Sequence, residues 1–205
     1  KRDGVMKKQI PDDPLKSFPI NLSIKQRMSD YIDMIIDYKK SLNLVGESDK
    51  QSIISNLVIP SIISTELVNG KNLIDIGSGA GILGIVVNLV CNNVHIILCD
   101  KDSKKIAFIN DVVYKLDISN VTIMHRDFKD VPQNSLQNVD QLLIRGIKLV
   151  NIYDSILEKF PRGTSIIYFG AEEEAAKVPV RVVKAIPMPG NDSRAKPLFI
   201  FSLTT

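Results

Sequence analysis

Residues 73–81 read Leu-Ile-Asp-Ile-Gly-Ser-Gly-Ala-Gly. A short apolar run leads into three alternating glycines, Gly77, Gly79 and Gly81, and an apolar helical stretch opens at Ile82. Strand, sharp turn and helix in that order make a crossover unit, and such units build parallel sheets covered by helices on both faces. Glycine lets the backbone turn tightly and, lacking Cβ, lets a ligand lie against the main chain. The first turn of the next helix aims unpaired N–H groups and the positive end of its dipole into the same space. A nucleoside-bearing ligand is the expected occupant.

The spacing departs from the dinucleotide fingerprint G-x-G-x-x-G. Gly81 comes one residue early, and Gly84 fits only when the count starts at Gly79. Asp75, two residues before Gly77, would repel a phosphate and attract a cation. A ligand carrying an amine and a sulfonium suits it, and S-adenosylmethionine is one. The order Asp-x-Gly-x-Gly-x-Gly resembles the first motif of the class I methyltransferases.

The chain of 205 residues, 44% hydrophobic, can bury one full core. Residues 1–20, with Pro11, Pro14 and Pro19 among charges, read as a loosely held arm. Residues 21–70 read as a helical cap. Ser23 and Gln26 form a capping box before a helix whose apolar face includes Met28, Tyr31, Ile32 and Ile35; Tyr31 and Met28 are expected in the core. Ser48 and Gln51 repeat the box, and Pro60 suits the first turn of a third helix ended by Gly70.

From residue 71 onward strands alternate with helices. Strands are expected at 72–76, 94–99, 121–124, 141–144, 164–169, 178–186 and 198–203. Helices are expected at 82–91, 103–116 (capped by Asp102) and 148–160, with a short charged one near Ala171. The connection 187–192 is too short for a crossover helix, so the last two strands form a hairpin with one strand running against the sheet.

Ligands of open parallel sheets lie beyond the carboxyl ends of the strands. Asp100 follows the second strand and is expected to accept the ribose hydroxyls. After the third strand come His125, Arg126, Asp127 and Phe128. Asp127 receives an adenine amino group under Phe128, or serves as ordinary turn chemistry; His125 has no assigned role and His95 is structural. Arg145 follows the fourth strand and meets a ligand carboxylate, phosphate or base, or else an ion-pair partner. Lys104 and Lys105 sit where cations oppose the helix dipole, which points either to RNA phosphate or to a solvated face.

Other readings narrow the class. No run of about 18 apolar residues free of charge occurs, so no spanning helix is expected. The polar, basic start (Lys1, Arg2, Lys7, Lys8) has no apolar signal core. Cys91 and Cys99 lie in apolar stretches at no metal-ligand spacing, as reduced core residues of a cytoplasmic protein. The net charge of +3 permits a nucleic-acid partner without requiring one. Where amino-directed base methylation places Asn/Asp-Pro-Pro-aromatic, this chain has Ile144-Arg145-Gly146-Ile147, and no cysteine nucleophile follows the fourth or fifth strand. A ring nitrogen such as guanine N7 needs neither device, because its lone pair is already nucleophilic.

Over residues 20–203 the chain resembles the bacterial 16S ribosomal RNA guanine-N7 methyltransferases, the glucose-inhibited division protein B family. The resemblance rests on Ser23 to Tyr31, Leu42-Asn43-Leu44, Asp75 to Gly84, Asp100 with Lys104, Lys105 and Phe108, Asn120-Val121-Thr122, Arg126, Arg145, Gly170 and Pro189-Gly190. It implies a Rossmann-like α/β fold of class I, with a seven-stranded, mostly parallel sheet, a C-terminal antiparallel hairpin strand and an N-terminal helical cap. It implies methyl transfer from S-adenosyl-L-methionine to a guanine N7 by a monomer acting on 16S rRNA or the 30S subunit, without metal. It implies Arg126 and Arg145 as catalytic residues, Asp75, Gly77, Gly79, Gly81, Asp100, Asp127 and Arg145 as cofactor ligands, and Lys104, Lys105 and Arg126 as RNA contacts. The chain departs from the family pattern at Tyr168-Phe169-Gly170, where the family has Met-Lys-Gly, and at Asn56-Leu57-Val58-Ile59-Pro60, which lacks the family's His and Asp. The alternatives are a class I methyltransferase for another RNA or a small molecule, and a relative that binds cofactor or ribosome without turnover.

Overall fold

The computed structural model describes residues 15, 18–39, 42–47, 49–186 and 198–203. Helix α1 (Leu22–Lys39) starts one residue before Ser23. Its cap is Asn21, whose Oδ1 accepts from the Ser23 N–H at 2.8 Å. Gln26 turns outward and donates to Asp30, one turn on, so the expected capping box is replaced by an Asn cap of equal strength. Ser48 lies outside the described residues; Asp49 caps α2 (Lys50–Ile53) by accepting from Ser52 N–H at 2.9 Å.

Beyond α2 the rod does not stop at Pro60. It passes through a π-helical turn (Ile54–Val58) into α3 (Ile59–Ser64) and a closing 3₁₀ turn (Thr65–Leu67). Pro60 is the cause. It lacks the N–H that would bond the Asn56 carbonyl, and its ring crowds that carbonyl. The helix opens by one residue, Ile59 N–H reaching back to Ile54 C=O, and the Asn56 carbonyl faces out of the ladder.

The sheet has seven strands in the order β3-β2-β1-β4-β5-β7-β6. They are β1 (Asn72–Ile76), β2 (His95–Asp100), β3 (Val121–His125), β4 (Gln141–Arg145), β5 (Ser165–Phe169), β6 (Val180–Ile186) and β7 (Leu198–Leu203). β1 to β5 are mutually parallel, and β7 is antiparallel to both β5 and β6. The hairpin connection, with Pro189-Gly190, lies outside the described residues. Helices α4 (Ile82–Val90) and α5 (Ser103–Lys115) cross over as expected. The expected helix at 148–160 is broken into a 3₁₀ turn (Leu149–Asn151) and α6 (Tyr153–Lys159), followed later by α7 (Glu172–Ala175). Two 3₁₀ turns, Phe128–Asp130 and Gln133–Leu136, fill the connection from β3 to β4.

Side chains alternate between the two faces with period 2. Ile74, Ile76, Cys99, Leu142, Ile144 and Ile166 pack toward α6. Leu73, Ile96, Leu98, Leu143, Ile167 and Phe169 pack toward α1 to α5 in one continuous core. The same alternation puts Asp75, Asp100 and Arg145 on the α1-to-α5 face. Arg145 is paired in register with Phe169. Asp75, one residue before the end of β1, and the residues that end β2, β4 and β5 therefore face the α1-to-α5 side of the sheet.

Candidate active site

Strand order reverses between β1 and β4, and a cleft of about 660 Å³ opens there at the carboxyl ends of the strands. The glycine loop forms its floor. Gly77, Gly79 and Gly81 have φ of +65°, +61° and +82°, which only glycine adopts without strain. At Gly79 a Cβ would meet nothing nearer than the Gly77 carbonyl at 3.9 Å, so the space above it is open. Gly84 does a different job. A Cβ there would lie 2.4 Å from Leu98 Cδ2, so α4 packs on β2 through a missing side chain.

Side-chain hydrogen bonds brace the loop and its surroundings. Gly79 N–H donates to Asp100 Oδ2 at 2.7 Å, and Asp102 N–H donates to Asp100 Oδ1 at 2.9 Å. Each Asp100 oxygen keeps a further lone pair for a ligand hydroxyl. Tyr31 Oη, fully buried on α1, donates to Ala80 C=O at 2.6 Å. The sequence placed Tyr31 in the core, which is right, but its hydroxyl also grips the loop. No local signal reveals a bond spanning 49 positions. Ser78 Oγ is buried with no hydrogen-bond partner among the described residues, and sequence reasoning passed over it. Replacing Tyr31 with Phe leaves the Ala80 carbonyl unpaired and is expected to cost about 1–3 kcal/mol in a denaturant titration, with weaker cofactor binding in calorimetry.

Asp75 is 2% exposed, and its Oδ2 accepts from Gly84 N–H at 2.9 Å. Burial pushes its carboxyl up to about 7, with Asp100 adding to the rise; the Gly84 hydrogen bond and the Arg145 charge oppose it. Asp127 lines the cleft as the cap of its 3₁₀ turn. Oδ1 accepts from Lys129 N–H and Oδ2 pairs with Lys101 at 3.1 Å; these bonds hold its carboxyl below the usual range. Phe128 is 4% exposed and stacks on Phe160 at 6.4 Å, so it belongs to the core with an edge on the cleft. Arg126 is exposed at the cleft rim, with Nη1 3.4 Å from the Asp130 carbonyl. Lys105 lines the cleft, whereas Lys104 is exposed and does not. His95 Nε2 is 2.9 Å from Thr122 Oγ1, and His125 Nε2 is 3.1 Å from the Lys101 carbonyl.

Arg145 lines the cleft but is not free in it. Its guanidinium donates to Leu57 C=O at 3.0 Å, to Asn56 C=O, and to Ser61 Oγ at 3.4 Å. Of these, the Asn56 carbonyl is the one that Pro60 leaves without a ladder donor. The same guanidinium lies 5.1 Å from the Phe169 ring centre. No carboxylate forms a salt bridge with it among the described residues, which removes the expected ion pair. Burial lowers its pKa to about 10 while Glu47 and Asp75 act to raise it, so it is a cation at neutral pH.

Among the described residues no His/Cys/Asp/Glu group has metal-site geometry, and no helix is long and apolar enough to cross a membrane.

The family described as rRNA small subunit methyltransferase G (GidB) matches residues 24–178. The Ribosomal RNA small subunit methyltransferase G of Magnetococcus marinus is 27% identical over 127 residues, covering 62% of this chain and 58% of that protein. Its counterpart in Photobacterium profundum is 27% identical over 172 residues, covering 80% and 82%. Among solved structures, an RNA methyltransferase from Salinibacter ruber in complex with S-adenosyl-L-homocysteine superposes with a TM-score of 0.54 at 14% identity, over 71% of this chain and 91% of that one. MtNAS in complex with MTA and tNA gives 0.61 at 13% identity, over 89% and 75%. Both structural likenesses establish the fold.

Proposed function

Because the chain belongs to the rRNA small subunit methyltransferase G family, matched over residues 24–178, we propose that it transfers the methyl group of S-adenosyl-L-methionine to N7 of a guanine in 16S rRNA. It acts as a cytoplasmic monomer on the RNA or on the 30S subunit. The observation that carries this reading is the loop. Gly79 leaves a cradle that a Cβ would fill, Asp100 keeps lone pairs beside it, and Ser78 Oγ is buried without a partner. These donors and acceptors fit a ribose and a methionine tail.

S-adenosyl-L-methionine supplies a methyl group on a sulfonium, an electrophile that needs no further activation. The protein's task is alignment and charge. Guanine N7 attacks with its lone pair, the new N–C bond forms as the C–S bond breaks, and the electron pair stays on sulfur. No proton leaves the base, so no general base is required, and none of the cleft residues need act as one. Asp100 orients the ribose. Asp75 sets a negative charge beneath the cationic ligand. Lys105 and Arg126 at the rim attract the RNA backbone, and Arg145 shapes the wall opposite the loop.

Asp75 makes cofactor binding depend on pH. Its carboxyl is largely protonated below pH 7, and a cationic ligand favours the ionised form, so binding expels a proton. Affinity is expected to fall roughly five-fold from pH 7 to pH 6. Calorimetry in buffers of different ionisation enthalpy would show the released proton, and Asp75→Asn should show neither effect. The proposal as a whole is tested by deleting the gene and mapping N7-methylguanine on small-subunit rRNA. A unique site should disappear and return on complementation; an unchanged map refutes the assignment.

A further inference from the structure

Four carboxylates line the cleft: Glu47, Asp75, Asp100 and Asp127. Three are committed within the protein. Asp75 accepts from the Gly84 N–H, Asp100 from the Gly79 and Asp102 N–H groups, and Asp127 from the Lys129 N–H and Lys101. Glu47 differs. Its side chain makes no hydrogen bond or salt bridge among the described residues, although it is half-buried and close enough to Arg145 to raise that residue's pKa. Its backbone is held in place, since Lys39 Nζ donates to the Glu47 carbonyl and Leu44 beside it is buried. A carboxylate in a cleft, on a pinned segment and with no hydrogen-bond partner among the described residues, is an acceptor waiting for donors from a ligand.

We infer that Glu47 reads the Watson–Crick edge of the target guanine; the inference rests on the methyl transfer to guanine proposed above. Guanine presents N1–H and N2–H₂ side by side on that edge. The two oxygens of a carboxylate match this pair of donors, as carboxylates match base amino groups elsewhere. Adenine presents a lone pair at N1, which a carboxylate repels, and so is rejected. N7 lies on the opposite side of the purine from N1 and N2. A reader of that edge must therefore stand across the cleft from the methyl donor. Glu47 lines the same cleft as the donor loop but comes from a separate segment, between α1 and α2. Arg145, on β4, brings a positive charge close to Glu47.

The test uses the full chain and small-subunit RNA ligated to carry guanosine or inosine at the nucleotide where the wild type places its N7-methyl group. Inosine keeps N7 and N1–H and lacks only the N2 amino group. The wild type should methylate inosine with a kcat/KM about ten-fold lower. Glu47→Gln should lose about 100-fold on guanosine and treat the two bases within about two-fold of each other, with melting temperature and S-adenosylhomocysteine affinity unchanged. A variant that keeps the wild-type preference for guanosine overturns the inference. So does a variant with weakened S-adenosylhomocysteine binding and intact base preference, because Glu47 would then serve the amino group of the donor. A wild type that forms no N7-methylguanine on this RNA overturns the parent proposal instead, and with it this one.

Discussion

Arg145→Ala should lower stability by about 2–4 kcal/mol, from the Asn56 carbonyl left without its donor and the lost guanidinium contact with Phe169, and should reduce methyl transfer by at least about 100-fold. For a chain of this size the first loss corresponds to a fall in melting temperature of roughly 5–15 °C. The two effects share one origin. The guanidinium supplies the hydrogen bond that Pro60 removes at Asn56 and adds a second at Leu57. Without it the π-helical turn loses its fastening to β4, and the cleft wall that includes Leu57 shifts. Arg145→Lys should recover little, because a single ammonium cannot serve several acceptors in the fork geometry of a guanidinium. Differential scanning fluorimetry reads the first effect. Single-turnover methylation at a temperature well below the variant's melting point reads the second. An Arg145→Ala protein with wild-type melting and reduced turnover would assign Arg145 to the reaction alone.

Phe169→Lys should destabilise by about 3–5 kcal/mol, the cost of placing an unpaired charge in a buried position, and should not raise activity. The family pattern has a lysine where this chain has Phe169, so the substitution resembles a restoration. The packing argues against it. Phe169 is 3% exposed, and the Arg145 guanidinium lies over its ring. A lysine there would set one cation against another with no carboxylate bridged to either. Arg145 and Phe169 are cross-strand partners in register, so the attraction between cation and ring becomes a repulsion at the closest spacing the sheet offers. The Phe169→Leu variant separates the contributions. It keeps the apolar filling and should lose only about 1 kcal/mol from the cation–π contact and altered packing. A stable, more active Phe169→Lys protein would mean that the Arg145 side chain moves away from the ring.

Much of this site is legible in the sequence because it rests on local patterns. The strand-loop-helix unit at Leu73–Gly81, the acids that end β1 and β2, and the period-2 apolar runs of β1 to β5 each depend on neighbours within a few positions. The reading fails where a partner is distant. Asn21 rather than Ser23 caps α1, since two good caps stood two residues apart and propensity alone does not choose. Pro60 reads as the first turn of a third helix, and it lies there, at the start of α3. What stays hidden is that the arginine of β4, more than 80 positions away, donates to the carbonyls just before it. Arg145 itself was placed correctly at the cleft, but its engagement with helix carbonyls depends on the same distant fact. Tyr31 and Glu47 carry no motif. Their roles follow from which loop and which charge the fold sets beside them.

The last strand in the chain is not the last strand in the sheet. β7 lies between β5 and β6, so during synthesis the β5 edge remains an open ladder and β6 waits without a neighbour until residues 198–203 emerge. Leu198 then pairs with Phe169, directly beside the ring that supports Arg145. Closing the sheet and completing the cleft wall thus become one late event. An unfinished chain carries an exposed strand edge, with its hazard of pairing to other chains, and an unsupported active site at the same time.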